Sequence, residues 1–463
     1  MDLLLIGTIR PLSISYHPIS MSLCQLNLAS LHFHLLGAAY LAGFAVLHYH
    51  GKKIQGGLNR HILGNICPSL CIPIPDVREQ EAPPVAIYHS VNEVPSVCFE
   101  IKSQNGVDDV FFSRQFLGAI EQNPPADTRF AYLVFQRQNR IIGFAILQIK
   151  YFSAAKSLRL KTGESAFIYA IKKQVARMIR YNTLVCGNLL LTGEHGYAFR
   201  DGAFASPALE TAAVAEGLAF ARRELAREGI RINATLIKDL AVPHPFSKAG
   251  YNQFSVEPNM VMTLDPNWKC QGDYLNALSS KYRVRAKRAF KKAEGIEKVE
   301  LDARQLRENS GKLMALYRQI ADDADFNLFY LNDLHFAGLK QRLGEDFRVF
   351  AYYLDGEMIA FYSTILNGGH LEAHFLGYEH SLNAERQIYL NMLFDMIGLG
   401  IGTGMREIVF ARTATVIKNS VGAQPIDAYL YLRYENAIIN RMLPLALRLL
   451  RPKNEALARS PFK

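Results

Sequence analysis

F-R-V-F-A-Y-Y-L-D-G-E-M-I-A-F-Y-S-T-I-L (347–366), followed by L-E-A-H-F-L-G (371–377), decides the fold. Its two apolar runs, 347–354 and 358–366, are rich in aromatic and β-branched residues and meet at an Asp-Gly pair. Flanking the turn D-G-E, the two runs read as a β-hairpin. The 371–377 run is a third strand. A helix is expected from about Ala384 to Gly400, with Asn383 as a candidate cap, and a fourth strand at 406–411. Upstream, the same order occurs once before. A-Y-L-V-F-Q (131–136) and I-I-G-F-A-I-L-Q-I (141–149) flank R-Q-N-R, and T-L-V-C-G-N-L-L-L (183–191) gives a third strand. Ser206 and Pro207 then start a helix that runs to Glu228 and stops at Gly229. I-N-A-T-L-I (232–237) is the fourth strand, closing on Lys238-Asp239.

Hairpin, third strand, helix and fourth strand make up the core of the GNAT acyltransferase fold. The order recurs without residue identity, so the repeat is one of fold. An α/β chain with tandem GNAT-like domains is therefore expected, each a mixed β-sheet flanked by helices. The expected boundaries are an extension at 1–82, a first domain at 83–268 and a second at 269–463. The second carries a helical basic insertion over 272–343, with helices at 272–293, 305–324 and 331–343. A strand at 428–434 and a basic amphipathic helix at 435–450 close the chain.

The 463 residues are 49% hydrophobic and 11% aromatic, which excludes wholesale disorder and a fibrous repeat. Six cysteines are too few for a disulfide-dense secreted scaffold. Arg10 to Lys52 encloses no charged residue, and Leu26–Leu47 is long enough to cross a bilayer. His32, His34 and two glycines weaken that reading, so a poorly ordered extension stands beside a membrane-associated segment. The expected location is cytoplasmic, peripheral to or anchored in the inner membrane. Cys67 and Cys71 lack a second ligand pair nearby, and no metal site is expected.

The net charge of +10 has a focus. Lys281, Arg283, Arg285, Lys287, Arg288, Lys291 and Lys292 fall within twelve residues. On a helix Lys281, Arg285, Arg288 and Lys292 share one face. Like charges so spaced repel unless an anion lies between them, so the face reads either as a phosphate site or as a solvated surface. No RNP or KH signature accompanies it, and sequence-specific DNA binding is not expected. Glu372 and His374, two apart on a strand, suggest a carboxylate orienting an imidazole as general base, or a charged pair on an outer face. Glu194 and His195 pose the same choice in the first half. Lys238 and Asp239 close a strand where ligands gather in open α/β sheets, with a salt bridge as the alternative. Tyr389 could give a proton to a leaving group or pack in the core. Ser-His-Asp order, metal clusters and a Walker loop are all missing from the sequence.

L-S-S-K-Y-R-V-R-A-K-R-A (278–289), H-F-L-G-Y-E (374–379), I-Y-L-N-M-L-F-D-M-I (388–397) and A-R-T-A-T-V-I-K-N-S-V-G-A-Q-P (411–425) carry a family resemblance. Over about residues 85–463 the chain resembles the FemAB-like, peptidoglycan biosynthesis/recognition type of GNAT N-acyltransferases. The resemblance implies a tandem fold and transfer of an acyl or aminoacyl group to an amine acceptor. It also implies that Lys418, with Arg412 and Thr413, meets the donor or the developing negative charge in a loop after the last strand. Acyl-CoA-dependent members usually carry Q/R-x-x-G-x-G/A between the third strand and the helix, where backbone N–H groups bind pyrophosphate. Here the junction reads E-H-S-L-N-A-E-R-Q (379–387). Acyl-carrier protein and aminoacyl-tRNA thus stand beside acyl-CoA as co-substrates, with no prosthetic group. A tandem module that binds a cell-wall precursor or other anionic ligand without transfer is the alternative function. A tRNA or an anionic membrane surface is a further possible partner of the basic helix.

Overall fold

The computed structural model describes residues 84–101, 109–153, 180–323, 329–449 and 460–463. The N-terminal extension, with Leu26–Leu47, Cys67 and Cys71, lies outside them. The chain divides into two compact units. Described residues up to Glu257, together with those from Asp427 to 449, form the first; Pro258–Ile426 and 460–463 form the second.

In chain order the strands begin with β1 (Val85–Tyr88), β2 (Thr128–Arg137), β3 (Arg140–Ser153) and β4 (Arg180–Cys186). Then come β5 (Tyr197–Phe199), β6 (Ile232–Leu240), β7 (Asn252–Ser255), β8 (Asn259–Thr263) and β9 (Glu297–Glu300). The series ends with β10 (Phe347–Leu354), β11 (Glu357–Asn367), β12 (His370–Tyr378), β13 (Glu407–Val409), β14 (Gln424–Ile426) and β15 (Tyr429–Tyr434). The helices are α1 (Arg114–Gln122), α2 (Pro207–Arg227), α3 (Gln271–Ala277), α4 (Ser280–Lys292), α5 (Ala303–Glu308) and α6 (Ser310–Asp323). They continue with α7 (His335–Leu343), α8 (His380–Arg386), α9 (Ile388–Gly402), α10 (Thr415–Asn419) and α11 (Ala437–Leu449).

The first sheet has the order β1-β2-β3-β4-β6-β15-β7, with β5 on β3; the second runs β9-β10-β11-β12-β13-β8-β14. Each is mixed, with one parallel pair: β4 with β6, and β12 with β13. The helix after the third strand, α2 or α9, makes that crossover. The fold is a tandem of GNAT-like units. The expected hairpins form where the turn residues permit. Gln138 and Asn139 both have positive φ between β2 and β3, as do Asp355 and Gly356 between β10 and β11. A third such turn, at Gly368-Gly369, joins β11 to β12.

On the first sheet α2 buries Val214, Leu218, Ala221 and Leu225 among Leu133, Phe135 and Leu147. Each large apolar side chain buried this way contributes about 1.5–3 kcal/mol. Ser206 Oγ accepts from the Leu209 N–H at the start of α2, and Gly229 takes the left-handed turn beyond its end. A Cβ on Gly217 would lie 2.7 Å from the Phe135 ring, so the helix needs a glycine to come this close.

The expected boundary at 268/269 moves. β8, four residues after β7, pairs with β13 and β14 of the second sheet. β15 returns to the first sheet between β6 and β7, and α11 packs on β15 and β7. The first sheet thus takes β15 from beyond the second unit's segment, whereas β8 belongs to the second unit's own segment. The single helix expected over 272–293 breaks into α3 and α4. Leu278 is extended there and bridges to Phe462, and the Ser279 N–H donates to Pro461 O at 2.9 Å. Among the described residues no helix is long and apolar enough to cross a membrane.

Candidate active site at the parted strands of the second unit

β12 and β13 are in register for three residues only: His370 with Glu407, Leu371 with Ile408, and Glu372 with Val409. β12 then runs on to Tyr378, whereas the other chain stays with β8: the Phe410 N–H donates to Met260 O at 2.8 Å. The two strands part after Glu372.

Sequence features on both sides hold them apart. On β12 a bulge sets His374 and Phe375 opposite one residue, Ser363. Ser363 Oγ accepts from the Phe375 N–H at 3.0 Å and donates to its carbonyl at 2.9 Å, so the irregular backbone is satisfied. Bulges bend and twist the strand that carries them. Gly377 lets α6 lie on the strand, since a Cβ would be 2.4 Å from the Leu316 carbonyl carbon. Beyond β13, Ala411, Thr413 and Ala414 all have positive φ, which costs a non-glycine residue about 1–2 kcal/mol each. Lys418 restrains that turn. Its side chain is fully buried, and Nζ donates to the carbonyls of Ala411 (3.2 Å) and Arg412 (2.6 Å). The lysine expected on a loop stands on α10, with its ammonium turned onto the main chain.

Buried polar groups cluster in this part of the unit: Thr364, Glu372, His374, Asn391, Arg412, Lys418 and Asn419 are each at least nine-tenths buried. The hydroxyls of Thr364, Tyr389 and Thr413 are buried without a hydrogen-bond partner. Tyr389 lies in the first turn of α9, and burial, then the neighbouring Tyr378, holds its phenol protonated far above neutral pH. Asn383 Oδ1 accepts from the Tyr389 N–H at 3.0 Å. Asn383 does cap the helix, but from within α8, across a left-handed Gln387. The 379–387 junction is therefore a short helix and a kink where a phosphate-binding loop would be open.

The Glu372–His374 pairing is replaced. His374 Nε2 lies 3.0 Å from Nε2 of His335 on α7, so one ring donates and the other accepts. Burial pushes His335 down to about 3; burial, and then His335, push His374 well below the usual range. Both rings are neutral at neutral pH. Glu372 is buried two residues before.

The basic segment folds as expected. Lys281, Lys287, Arg288 and Lys291 are exposed, while Arg285 and Lys292 are half-buried. Among the described residues no ion pair involves any of the seven cations. Arg283 turns back to Leu278 O at 2.8 Å and acts as a local brace. Asn391 Nδ2 donates to Ala289 O at 3.0 Å, and Phe290 packs edge-on to Phe394, tying α4 to the first turns of α9.

The first unit is built otherwise at the same place. β4 stops at Cys186, and Gly187 (φ +133°) turns the chain, so the strand expected to reach 191 is shorter. Gln148 donates to Asn188 Oδ1 (2.9 Å) and accepts from the Leu189 N–H (2.7 Å). Lys238 and Asp239, both 1% exposed, form an ion pair; Lys238 also donates to Leu191 O and Asp239 accepts from the Gly193 N–H. The 187–193 segment is thereby fastened over the strand ends, and this pair serves as its clamp. Glu194 accepts from the Ala241 N–H at 2.9 Å. His195 Nδ1 lies 2.7 Å from Asp109 Oδ2.

Sequence reading missed His335, Ser363, Thr364 and Asn391. No motif marks them; their roles depend on which strand bulges and which helix covers it.

Residues 280–419 match the family model described as an acetyltransferase (GNAT) domain. Most of the second unit is thus similar to acetyltransferase (GNAT) domains. No curated protein sequence matches the chain. Among solved structures it is similar to FemX (11% identity, 71% of this chain and 97% of that one, TM-score 0.42). It is also similar to a tandem GNAT protein from the clavulanic acid biosynthesis pathway (11%, 76% and 98%, 0.43). A third is L-PGS from Bacillus licheniformis (13%, 73% and 96%, 0.38). The tandem arrangement itself stands on the two sheets described above.

Proposed function

We propose that the second unit is an N-acyltransferase in which an amine attacks a thioester or ester donor directly. The observation that carries this is the parting of β12 from β13 beside buried, partnerless hydroxyls. A carbonyl placed there meets the unpaired edge of β12, whose N–H groups polarise it and hold the developing oxyanion. The nitrogen lone pair forms the new C–N bond, the C–S or C–O bond breaks, and the amine proton leaves to a base or to water. Tyr389, kept protonated by burial, gives its proton to the departing thiolate or alkoxide. Lys418 acts through the 411–414 turn that it holds open and is a positioning residue in this scheme.

The donor is phosphate-bearing. With the Tyr389 N–H capped by Asn383, α4 takes over the work of a glycine loop and contacts the donor's phosphates through Arg285, Arg288 and Lys291. Acyl-CoA, acyl-carrier protein and aminoacyl-tRNA all meet that requirement. The amine acceptor and a peptidoglycan role in the manner of FemAB-like enzymes rest on the resemblance alone.

The test is mass spectrometry of ligands retained by the purified protein, followed by transfer assays with the donor so found. Tyr389→Phe should lower kcat by about 10²-fold or more with little change in KM. An unchanged kcat removes Tyr389 as the acid. Failure of the wild-type protein to transfer to any amine in a broad panel overturns the enzymatic reading.

A further inference from the structure

α11 carries apolar residues on two opposite faces. One packs on β15 and β7, with Leu443 and Leu447 buried. The other is open: Ile438 is 73% exposed and Leu445 63%, with a half-buried Met442 between them. Spaced i, i+4 and i+7, these three residues share one side of the helix. Arg441 is exposed beside them. Hydrogen bonds fix the rotation of the helix that presents this face. Pro444 has no N–H to give to Asn440 O, and Asn252 Nδ2 of β7 donates there instead at 3.3 Å. The Asn440 side chain accepts from the Tyr434 N–H and donates to Gly250 O, each at 2.9 Å. With Asn440 bonded to the sheet side, Ile438 and Leu445 face outward.

We propose that this face of α11 docks on an anionic lipid surface. Single exposed apolar side chains are ordinary, whereas a stripe of them along one helix marks an interaction face. Charge selects the occupant. From Ala437 to Lys463 the sequence holds six cations (Arg441, Arg448, Arg451, Lys453, Arg459 and Lys463) against one acid, Glu455. A second copy meeting this face about a two-fold axis would set arginine against arginine. The apolar stretch at 26–47 has no acid to pair with them either. A bilayer with anionic phosphate headgroups meets both needs. Ile438 and Leu445 enter the boundary of the acyl chains, and Arg441 takes a phosphate. The surface belongs to the first unit and stands whether or not the second unit transfers an acyl group.

Co-sedimentation of the full-length protein with vesicles tests it. Vesicles of equal parts phosphatidylglycerol and phosphatidylcholine should bind the protein, and added salt should weaken that binding. Pure phosphatidylcholine vesicles should bind it about tenfold less. Ile438→Asp/Leu445→Asp should lower binding to the anionic vesicles about tenfold or more, and Arg441→Gln about fivefold. Both apolar positions are exposed, so the double variant should unfold at the same temperature as the wild type; Ile438→Ser/Leu445→Ser gives the readout if it does not. No binding by the wild type, equal binding to both vesicle types, or undiminished binding by the aspartate and serine variants would each overturn the proposal. So would a wild-type dimer in light scattering that the double variant abolishes, because a second copy would then cover the face.

Discussion

The histidine pair beside the bulge illustrates how single residues set conditions for the whole second unit. His335 and His374 share one proton between Nε2 atoms in surroundings that exclude charge. In the unfolded chain each titrates near its ordinary value of 6.5; folded, His335 does so near 3 and His374 well below its ordinary value. Between these limits the unfolded state holds more protons. The stabilisation is therefore complete above pH 6.5 and is lost as pH falls toward the folded values. The loss is up to about 1.4 kcal/mol per pH unit for each histidine. Urea unfolding at pH 7.5 and 5.5 should show that loss, and replacing both rings by leucine should flatten it. Equal slopes in wild type and double variant would place the titration elsewhere. His374 was legible as a chemical residue, but its partner was not, because His335 lies 39 residues away on another element. Lys418 shows the same limit. The motif around it identified the residue, whereas its burial against two carbonyls depends on the left-handed turn it faces.

Elements whose signals are local were readable. Turns such as Asp355-Gly356 and Gln138-Asn139 are fixed by backbone preference, so the hairpins followed from sequence. The β12 bulge, the break at Leu278 and the α8–α9 kink were not readable, since each answers to a distant partner: Ser363, Phe462 and Asn391 with Ala289. α4 combines both cases. Its helicity and charge are written in the sequence, and its place against α9 comes from packing. Among the described residues no acid pairs with any of its seven cations, and Arg285, Arg288 and Lys291, unlike the bracing Arg283, are available to an anion, so removing these three should cost little stability. Arg285→Ala/Arg288→Ala/Lys291→Ala should raise KM for the donor at least tenfold, leave kcat within about threefold, and flatten the salt dependence of donor binding. A matching fall in kcat with KM unchanged would remove the phosphate role from this helix.

At the scale of the whole chain, the return of β15 makes the first unit depend on sequence beyond the second unit's segment. β15 fills the gap between β6 and β7, and its residues hold that edge closely. Tyr431 bonds to the His244 N–H, 187 residues away, Arg433 donates to Ala249 O, and Glu435 pairs with Arg222. Contacts so distant in sequence form late and slowly, because a long loop must close before they stabilise anything. Repetition of the element order was visible in the sequence, but the return of β15 to the first sheet was not, since periodicity marks a strand without naming its neighbour. A chain ending at Ile426 should therefore leave β6 and β7 without their common neighbour while β10–β12 keep all of theirs. Hydrogen exchange of this truncated chain should show lost protection in β6 and β7 and retained protection in β11. Co-expression of 1–426 with 427–463 as two polypeptides should yield a copurifying pair with protection at β6 restored. If the truncated chain protects β6 as well as the intact one, β15 adds nothing to the first sheet and the first unit folds without it.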